Sequence, residues 1–168
     1  MTLHVTRFDT PLGEMLVAVG DDGAVRLLEF AGPRAEASLA REAAARRAPV
    51  VDGADRCGDV IRQMDEYFRG ERRSFDLRLD GRGTDFQRGV WAELVRIPYG
   101  ATVSYRELAQ RLGNPAAVRA VGRANGSNPI SVIVPCHRVI GADGSLTGYG
   151  GGTDRKARLL ALEGAQLM

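Results

Sequence analysis

The hydrophobic period of the chain changes across Gly81-Arg82-Gly83, and this change most constrains the fold. Before it, Ser74-Phe75-Asp76-Leu77-Arg78-Leu79-Asp80 alternates polar and apolar residues strictly, which is the period of a strand with one buried face. After it, Thr84-Asp85-Phe86-Gln87 reads as a capping box, with Thr at the cap and Gln three residues on. Phe86, Val90, Leu94 and Ile97 then recur on one helical stripe. A strand-bearing half meets a helical half. The chain is therefore read as α/β with two domains, residues 1–83 and 84–168, which suits a length of 168 residues.

Apolar runs at residues 3–8, 15–19 and 25–30 predict three strands. The breakers between them are Thr10-Pro11-Leu12-Gly13 and Gly20-Asp21-Asp22-Gly23, and Asp22-Gly23 is a tight-turn pair. Residues 33–47 and 57–69 predict helices, the second with Val60, Ile61, Met64, Tyr67 and Phe68 at helical spacing. In the second half, Ser104-Tyr105-Arg106-Glu107 reads as another capping box, with Leu108 and Leu112 following on one face and Gly113 as the stop. Asn114-Pro115 opens a third helix, Asn capping and Pro in the first position. That helix is expected to run to about Asn125, with Gly126 past its end.

Two short helices joined by a tight Gly-Asn turn have the shape of a helix-turn-helix. The second is lined with small residues, Ala116, Ala117, Ala120 and Gly122, and carries Arg119 and Arg123 on one face. Such a helix can approach a nucleic-acid groove closely while its arginines reach phosphates or bases. A tightly packed Ala-rich helix with solvated arginines fits the same pattern, and the spacing alone leaves both open.

Composition removes several classes. Hydrophobic residues make up 44% and charged residues 26%, which is ordinary globular usage. No apolar run approaches the roughly 20 residues of a membrane span, and Met1-Thr2-Leu3-His4 does not open a secretory leader, so a cytoplasmic protein is expected. Cys57, Cys136, His4 and His137 show no C-x-x-C or H-x-x-x-H spacing, so no metal is expected. Cys57 is read as a core thiol, His4 as a strand histidine and Trp91 as core of the first C-terminal helix. The net charge of +2 hides an asymmetry: residues 1–83 hold 13 basic and 15 acidic side chains, residues 84–168 hold 10 and 6. The positive second half is compatible with an anionic partner such as nucleic acid.

The apolar run Ile130-Ser131-Val132-Ile133-Val134 leads directly into Pro135-Cys136-His137-Arg138-Val139-Ile140. The run is read as a buried strand delivering a thiol. An unperturbed thiol, with a pKa of about 8.5, is only slightly ionised at neutral pH, and the thiolate is the nucleophile. A reactive cysteine needs a base or a positive field nearby, and His137 and Arg138 supply both kinds of group. Neighbours on a strand point to opposite faces, so the chain must turn at Cys136 for the pair to cooperate.

Pro135-Cys136-His137-Arg138-Val139 resembles the active-site signature of the O6-alkylguanine-DNA alkyltransferases, also called methylated-DNA–protein-cysteine methyltransferases. Ser104-Tyr105, Gly113-Asn114-Pro115, Arg119-Ala120-Val121-Gly122, Asn128-Pro129, Gly148-Tyr149-Gly150-Gly151 and Leu159-Leu160-Ala161-Leu162-Glu163-Gly164 fall in the family's order. The specific resemblance covers residues 84–168, and residues 1–83 fit the family's more variable, ribonuclease-H-like α/β domain. The C-terminal domain is expected to be mainly helical and winged-helix-like.

The resemblance implies roles. Cys136 is the alkyl acceptor, His137 its base acting through a water, and Glu163 the carboxylate that orients His137, a triad with a thiol in place of a hydroxyl. Tyr105 donates to the guanine ring as O6 becomes a leaving group. Asn128 holds the local turn to the thiol segment. Arg119 enters the duplex where the target nucleotide has left, on a helix whose Ala117, Ala120 and Arg123 also face DNA. Val139, Ser145, Tyr149, Gly150 and Trp91 are the residues counted with the base pocket. The implied activity is a single, irreversible transfer from O6-alkylguanine, and from O4-alkylthymine, to the protein. The implied partner is double-stranded DNA, bound through its minor groove without sequence preference by a monomer, and no cofactor takes part.

The chain departs from some relatives in lacking the Cys and His ligands of an N-terminal zinc site, and in placing Gly150 where some have Ser. Two rival readings are a DNA-binding module without chemistry, which lacks a use for Cys136, and a cysteine hydrolase built on Cys136, His137 and Glu163, which would turn over repeatedly.

Overall fold

The computed structural model describes residues 1–165, and residues 166–168 at the end of the expected C-terminal domain lie outside the described residues. The chain divides into two compact units, Met1–Arg82 and Gly83–Met168.

In the first unit, β1 (Leu3–Thr10), β2 (Gly13–Val19) and β3 (Val25–Phe30) form an antiparallel meander. β4 (Val50–Asp52) joins β1 in parallel, giving the order β3-β2-β1-β4. The three long strands follow the apolar runs. β4 has no such signal, because its three residues are all exposed and pairing at the sheet edge alone holds it. Met15, Leu16, Val17, Ala18 and Val19 of β2 are fully buried, so the sheet is covered on both faces. On one face, Ala35 and Leu39 of α1 (Pro33–Arg46) pack with Leu3, Val5, Leu16, Ala18 and Leu27. α2 (Gly58–Phe68) and the 3-10 turn before it, Ala54–Cys57, pack on β1 and β2.

Residues 74–80 do not form the predicted strand. They meet the sheet at one parallel bridge, Leu79 against Val25, where Val25 N–H donates to Arg78 O and Asp80 N–H to Val25 O, both at 2.8 Å. Gln63 of α2 takes the backbone that a partner strand would need. Its amide donates to Asp76 O at 3.1 Å and accepts from Asp76 N–H at 2.9 Å. A side chain that satisfies both backbone groups of Asp76 leaves no ladder to complete there.

In the second unit, α3 (Asp85–Val95) opens with the complete capping box at Thr84. Trp91 on α3 donates from Nε1 to Ala124 O of α5 (Val118–Gly126) at 2.8 Å. α4 (Tyr105–Arg111) starts at Ser104, whose hydroxyl accepts from Glu107 N–H at 3.0 Å. The reciprocal half of this predicted box is missing, because the Glu107 carboxylate is held by Arg111 one turn on, at 3.0 Å. α4 ends at Gly113, φ +74°. Gly113 N–H bonds Gln110 O and Asn114 N–H bonds Ala109 O, a Schellman arrangement that an L side chain would strain.

The next helix differs from the reading at both ends. The Asn114 side chain makes no cap bond, and Pro115–Ala117 is a 3-10 turn before α5 begins. Gly126 lies inside α5, which stops where Ser127 turns its N–H to Arg123 O and its hydroxyl to Ala124 O. α4 and α5 pack together as a helix-turn-helix pair. β5 (Val103–Ser104) and β6 (Val139–Ile140) form a short parallel pair, and α6 (Thr153–Leu162) completes the unit. Among the described residues, no helix is long and apolar enough to cross a membrane.

Candidate active site

The run ahead of the thiol is buried, but it is not the predicted strand. Ile133 N–H bonds Ser131 O at 2.8 Å across Val132, whose φ is +71°. This is a γ-turn in the strained left-handed sense, carried by a β-branched residue. Val134 N–H bonds Ile130 O at 3.1 Å. Asn128, 3% exposed, ties the loop shut. Its Oδ1 accepts from Ile130 N–H at 3.0 Å, and its Nδ2 donates to Val134 O at 2.8 Å and Ile130 O at 3.3 Å. The N–H and C=O of both Ile130 and Val134, which a strand would offer to a neighbour, are bonded inside the loop instead.

Pro135, at φ −83° and ψ 64°, makes a second, inverse γ-turn, with Cys136 N–H on Val134 O at 2.8 Å. A 3-10 turn over Cys136–Arg138 follows. The chain thus turns at the thiol, as cooperation between Cys136 and His137 requires. Cys136 is 6% exposed, and its carbonyl accepts from Asn125 Nδ2 of α5 at 3.4 Å. The helix that carries Arg119 and Arg123 is therefore bonded to the turn that carries the thiol.

His137 is fully buried, with Nε2 at 2.9 Å from Glu163 Oε2. Burial, the largest cause, holds the imidazole below its ordinary value, against the opposing pull of Glu163. A neutral ring must then carry its proton on Nε2 to satisfy the carboxylate. Nδ1 keeps its lone pair, and it is buried with no hydrogen-bond partner from the protein.

Arg138 does not supply the positive field expected of it at Cys136. Its Nε bonds Glu163 Oε1 at 2.8 Å, its Nη2 bonds Glu163 Oε2 at 2.9 Å and its Nη1 bonds Ile97 O at 2.7 Å. The guanidinium is committed to the carboxylate, a bidentate fit that neutralises both. Lys156 on α6 takes the expected place. It is fully buried, donates from Nζ to Thr147 O at 3.0 Å, and is brought down to about 8 by burial, with the charge of Cys136 acting in the opposite direction. The residue reading missed Lys156. Its signal was there: it is the one lysine beside 22 arginines.

The parallel pairing of Val103 with Val139 and Ser104 with Ile140 brings Tyr105, the first residue of α4, beside the thiol turn. Its hydroxyl donates to Thr147 O at 3.0 Å. Burial first, and the Cys136 charge second, push the phenol up. Gly148 leaves room for that hydroxyl. Its φ is +79°, and a Cβ there would sit 3.0 Å from Tyr105 Oη. Tyr149 is buried, and its phenol is pushed well up by burial and then by Cys136.

Val139 is fully buried in β6, Ser145 lies half-buried in a turn closed by Gly141 N–H on Ser145 O, and Gly150 is exposed. Trp91 stands apart from the other pocket residues. Its indole packs on Gly83, where a Cβ would approach to 2.5 Å, and bonds Ala124 O, so it serves the packing of α3 on α5. Arg119 and Arg123 are exposed on α5, with Ala117 and Ala120 half-buried beside them. The cluster can therefore do three things: take a thiol proton at Nδ1, hold a nearby cation, and offer a phenol proton.

Comparison with known proteins decides the family. The ribonuclease-like domain of 6-O-methylguanine DNA methyltransferase matches residues 3–81, and its DNA binding domain matches residues 85–165. A methylated-DNA–protein-cysteine methyltransferase of Methanosarcina acetivorans is 44% identical over 97% of this chain and 99% of its own. The chain belongs to the methylated-DNA–protein-cysteine methyltransferase family. A member of that family from Mycolicibacterium paratuberculosis is 62% identical over 62% of this chain, a match that spans 63% of the relative. The crystal structure of Mycobacterium tuberculosis O6-methylguanine methyltransferase superposes with a TM-score of 0.80 at 44% identity, covering 97% of this chain and 93% of that one. The structure of Mycobacterium tuberculosis OGT in complex with DNA does so with a TM-score of 0.82 at 45% identity, covering 96% and 92%. The methyltransferase family's two-part organisation agrees with the α/β class read from the sequence.

Proposed function

We propose that the chain is a DNA repair protein that moves the alkyl group of O6-alkylguanine in duplex DNA onto its own Cys136, once per molecule. The observation that carries this reading is the unpartnered Nδ1 of a buried, neutral His137, held by Glu163 one residue from a thiol on a tight turn.

The thiol proton passes to Nδ1, directly or through one water. The thiolate sulfur attacks the alkyl carbon, an S–C bond forms, and the C–O6 bond breaks with its electron pair going to the guanine. Tyr105 donates a proton to the ring as that charge develops, which a displaced purine anion requires. The same displacement serves O4-alkylthymine. The product is a thioether, and no group beside it can readily take the alkyl away again, so the protein is consumed. The reading calls for no cofactor.

The lesion is stacked inside the duplex and must be rotated out at a cost of a few kcal/mol. Arg119, exposed on α5, fills the gap and offsets part of that cost. The small side chains of Ala117, at the cap of α5, and Ala120, beside Arg119 and Arg123, suit a minor groove. Binding is independent of sequence, since lesions arise anywhere. The protein acts as a monomer in the cytoplasm. The membership of the family and the DNA complex of the Mycobacterium tuberculosis relative support DNA as the partner.

One experiment tests the reading. The protein is incubated with a duplex containing O6-methylguanine and digested, and the Cys136 peptide is weighed. One added methyl per protein is expected, and none in Cys136→Ser. Binding without a mass change would instead mark a DNA-binding module, and repeated turnover on an ester or amide would mark a hydrolase.

A further inference from the structure

The arginine of the Pro-Cys-His-Arg turn has no part in the transfer as described, yet all three of its guanidinium nitrogens are hydrogen-bonded within the site. Arg138 places Nε on one oxygen of Glu163 and Nη2 on the other, at 2.8 and 2.9 Å. Its third arm is pinned to Ile97 O at 2.7 Å, and its guanidinium lies 5.8 Å from the centre of the Tyr99 ring. Glu163 shares its Oε2 between Arg138 and His137 Nε2. The side chains of His137 and Glu163 have no exposed surface, and that of Arg138 is 7% exposed.

We propose that Arg138 is a positioning residue for the alkyl transfer. By engaging both oxygens of Glu163 it keeps the carboxylate an acceptor, and so fixes His137 as the Nε2–H ring with Nδ1 left as the base.

Without the guanidinium, Glu163 has two courses open to it. A buried carboxylate without a cation tends to take up a proton. A protonated Glu163 would donate to Nε2, and the ring proton would then sit on Nδ1. An ionised Glu163 not held by Arg138 would instead draw His137 toward the imidazolium, which also carries a proton on Nδ1. Either outcome removes the lone pair that takes the thiol proton. The guanidinium fork excludes both, because it holds the carboxylate charged and already neutralised. The other charged group acting on His137, Lys156 of α6, works in the same direction by disfavouring the imidazolium. Lysine at position 138 would keep the charge but present a single point in place of a fork.

This inference deepens the alkyl-transfer reading and rests on it, but its central statement concerns a proton position that can be read without any transfer. His4 and His137 are the two histidines of the chain, so the ring nitrogens of the 15N-labelled full chain are assignable by two-bond 1H–15N correlation, with His4→Gln identifying the other ring. In the wild type at pH 7, His137 is expected as the neutral Nε2–H form. Arg138→Met is expected to put a proton on Nδ1 at pH 7, and to slow transfer from an O6-methylguanine duplex by about 100-fold, the contribution of a general base. The acid limb of its rate profile should move up by about one pH unit, the scale on which neighbouring charges shift such groups.

Because Arg138→Met removes two hydrogen bonds from the buried Glu163 and can fail to fold, Arg138→Lys provides the second arm. It should show a measurable Nδ1–H fraction and a smaller upward move of the same limb. A wild-type ring carrying a proton on Nδ1 at pH 7 overturns the proposal. So does either variant folding with wild-type ring shifts and a wild-type pH profile. A wild type with the Nε2–H ring that transfers no methyl would sink the repair reading and leave the proton assignment standing.

Discussion

Lys156 and Tyr105 share one acceptor: Nζ and the phenol hydroxyl each donate to Thr147 O at 3.0 Å, and Nζ lies 5.8 Å from the centre of the Tyr105 ring. One carbonyl thus sets the ammonium and the phenol in a fixed relation beside the thiol turn. Lys156 is held at about 8 when folded, against an ordinary 10.5. The folded chain therefore binds fewer protons than the unfolded chain between those two values, and wild-type stability should rise with pH across that window. Lys156→Met should lack this rise. Denaturant midpoints of both proteins at pH 7.5, 8.5 and 9.5 measure it, and parallel curves would show that Lys156 is not the titrating group.

Glu163→Gln removes the charge that both His137 and Arg138 use. Breaking one side of a buried pair leaves the other unpaired, which costs about 3–5 kcal/mol. If His137 is the base that Glu163 orients, transfer should slow by about 100-fold or more. Urea unfolding and single-turnover methyl transfer read the two effects separately. Unchanged stability would mean that Arg138 finds another acceptor.

The buried His137 also gives the fold an acid sensitivity. Its folded value is below the ordinary 6.5, so below pH 6.5 the unfolded chain binds the proton and the folded chain resists it. Stability should be fully present above pH 6.5 and be lost as pH falls through that value toward the folded one. The slope of unfolding free energy between pH 7 and 5.5 should shrink in His137→Gln, and an unchanged slope would place the sensitivity elsewhere.

Val132 stores backbone strain in the loop before the thiol, with φ +71° at 1% exposure. Glycine accepts that backbone and alanine does not. Val132→Gly and Val132→Ala both delete the isopropyl group, so their difference isolates the strain. Glycine normally destabilises relative to alanine by roughly 0.5–1 kcal/mol. Here the order should reverse, with the glycine variant more stable by about 1 kcal/mol. Melting temperatures of the pair decide it, and the ordinary order would show that the loop relaxes around alanine.

Arg119 is exposed on α5. If it fills the gap left by the rotated nucleotide, Arg119→Ala should slow repair of an O6-methylguanine duplex far more than transfer from the free O6-alkylguanine base. Equal losses on both substrates would reject that role.

Much of this protein was legible in local sequence. The strands of the meander, the capping box at Thr84 and the stop at Gly113 depend on groups three to six residues apart, and each can be read from a short window. The Pro-Cys-His turn and Glu163 were legible as members of a motif set. Competition among several groups for the same backbone or charge, near or far in the chain, was not. Residues 74–80 alternate like a strand, but Gln63 takes the backbone of Asp76. Residues 130–134 are as apolar as a strand, but Asn128 folds them into turns. Gly126 reads as a helix stop, but Ser127 ends the helix one residue later.

The sequence by itself determined where helices cap, which stripes are apolar, and which residues could carry a thiol chemistry. Only the tertiary structure decided which positive charge stands near that thiol. Arg138 is next to His137 in the chain, yet it is drawn to Glu163, and the lysine from α6 takes the place expected of it. The physical reason is that a buried charge settles on whichever opposite charge the packed fold brings within hydrogen-bond distance, and adjacency along the chain does not measure that distance.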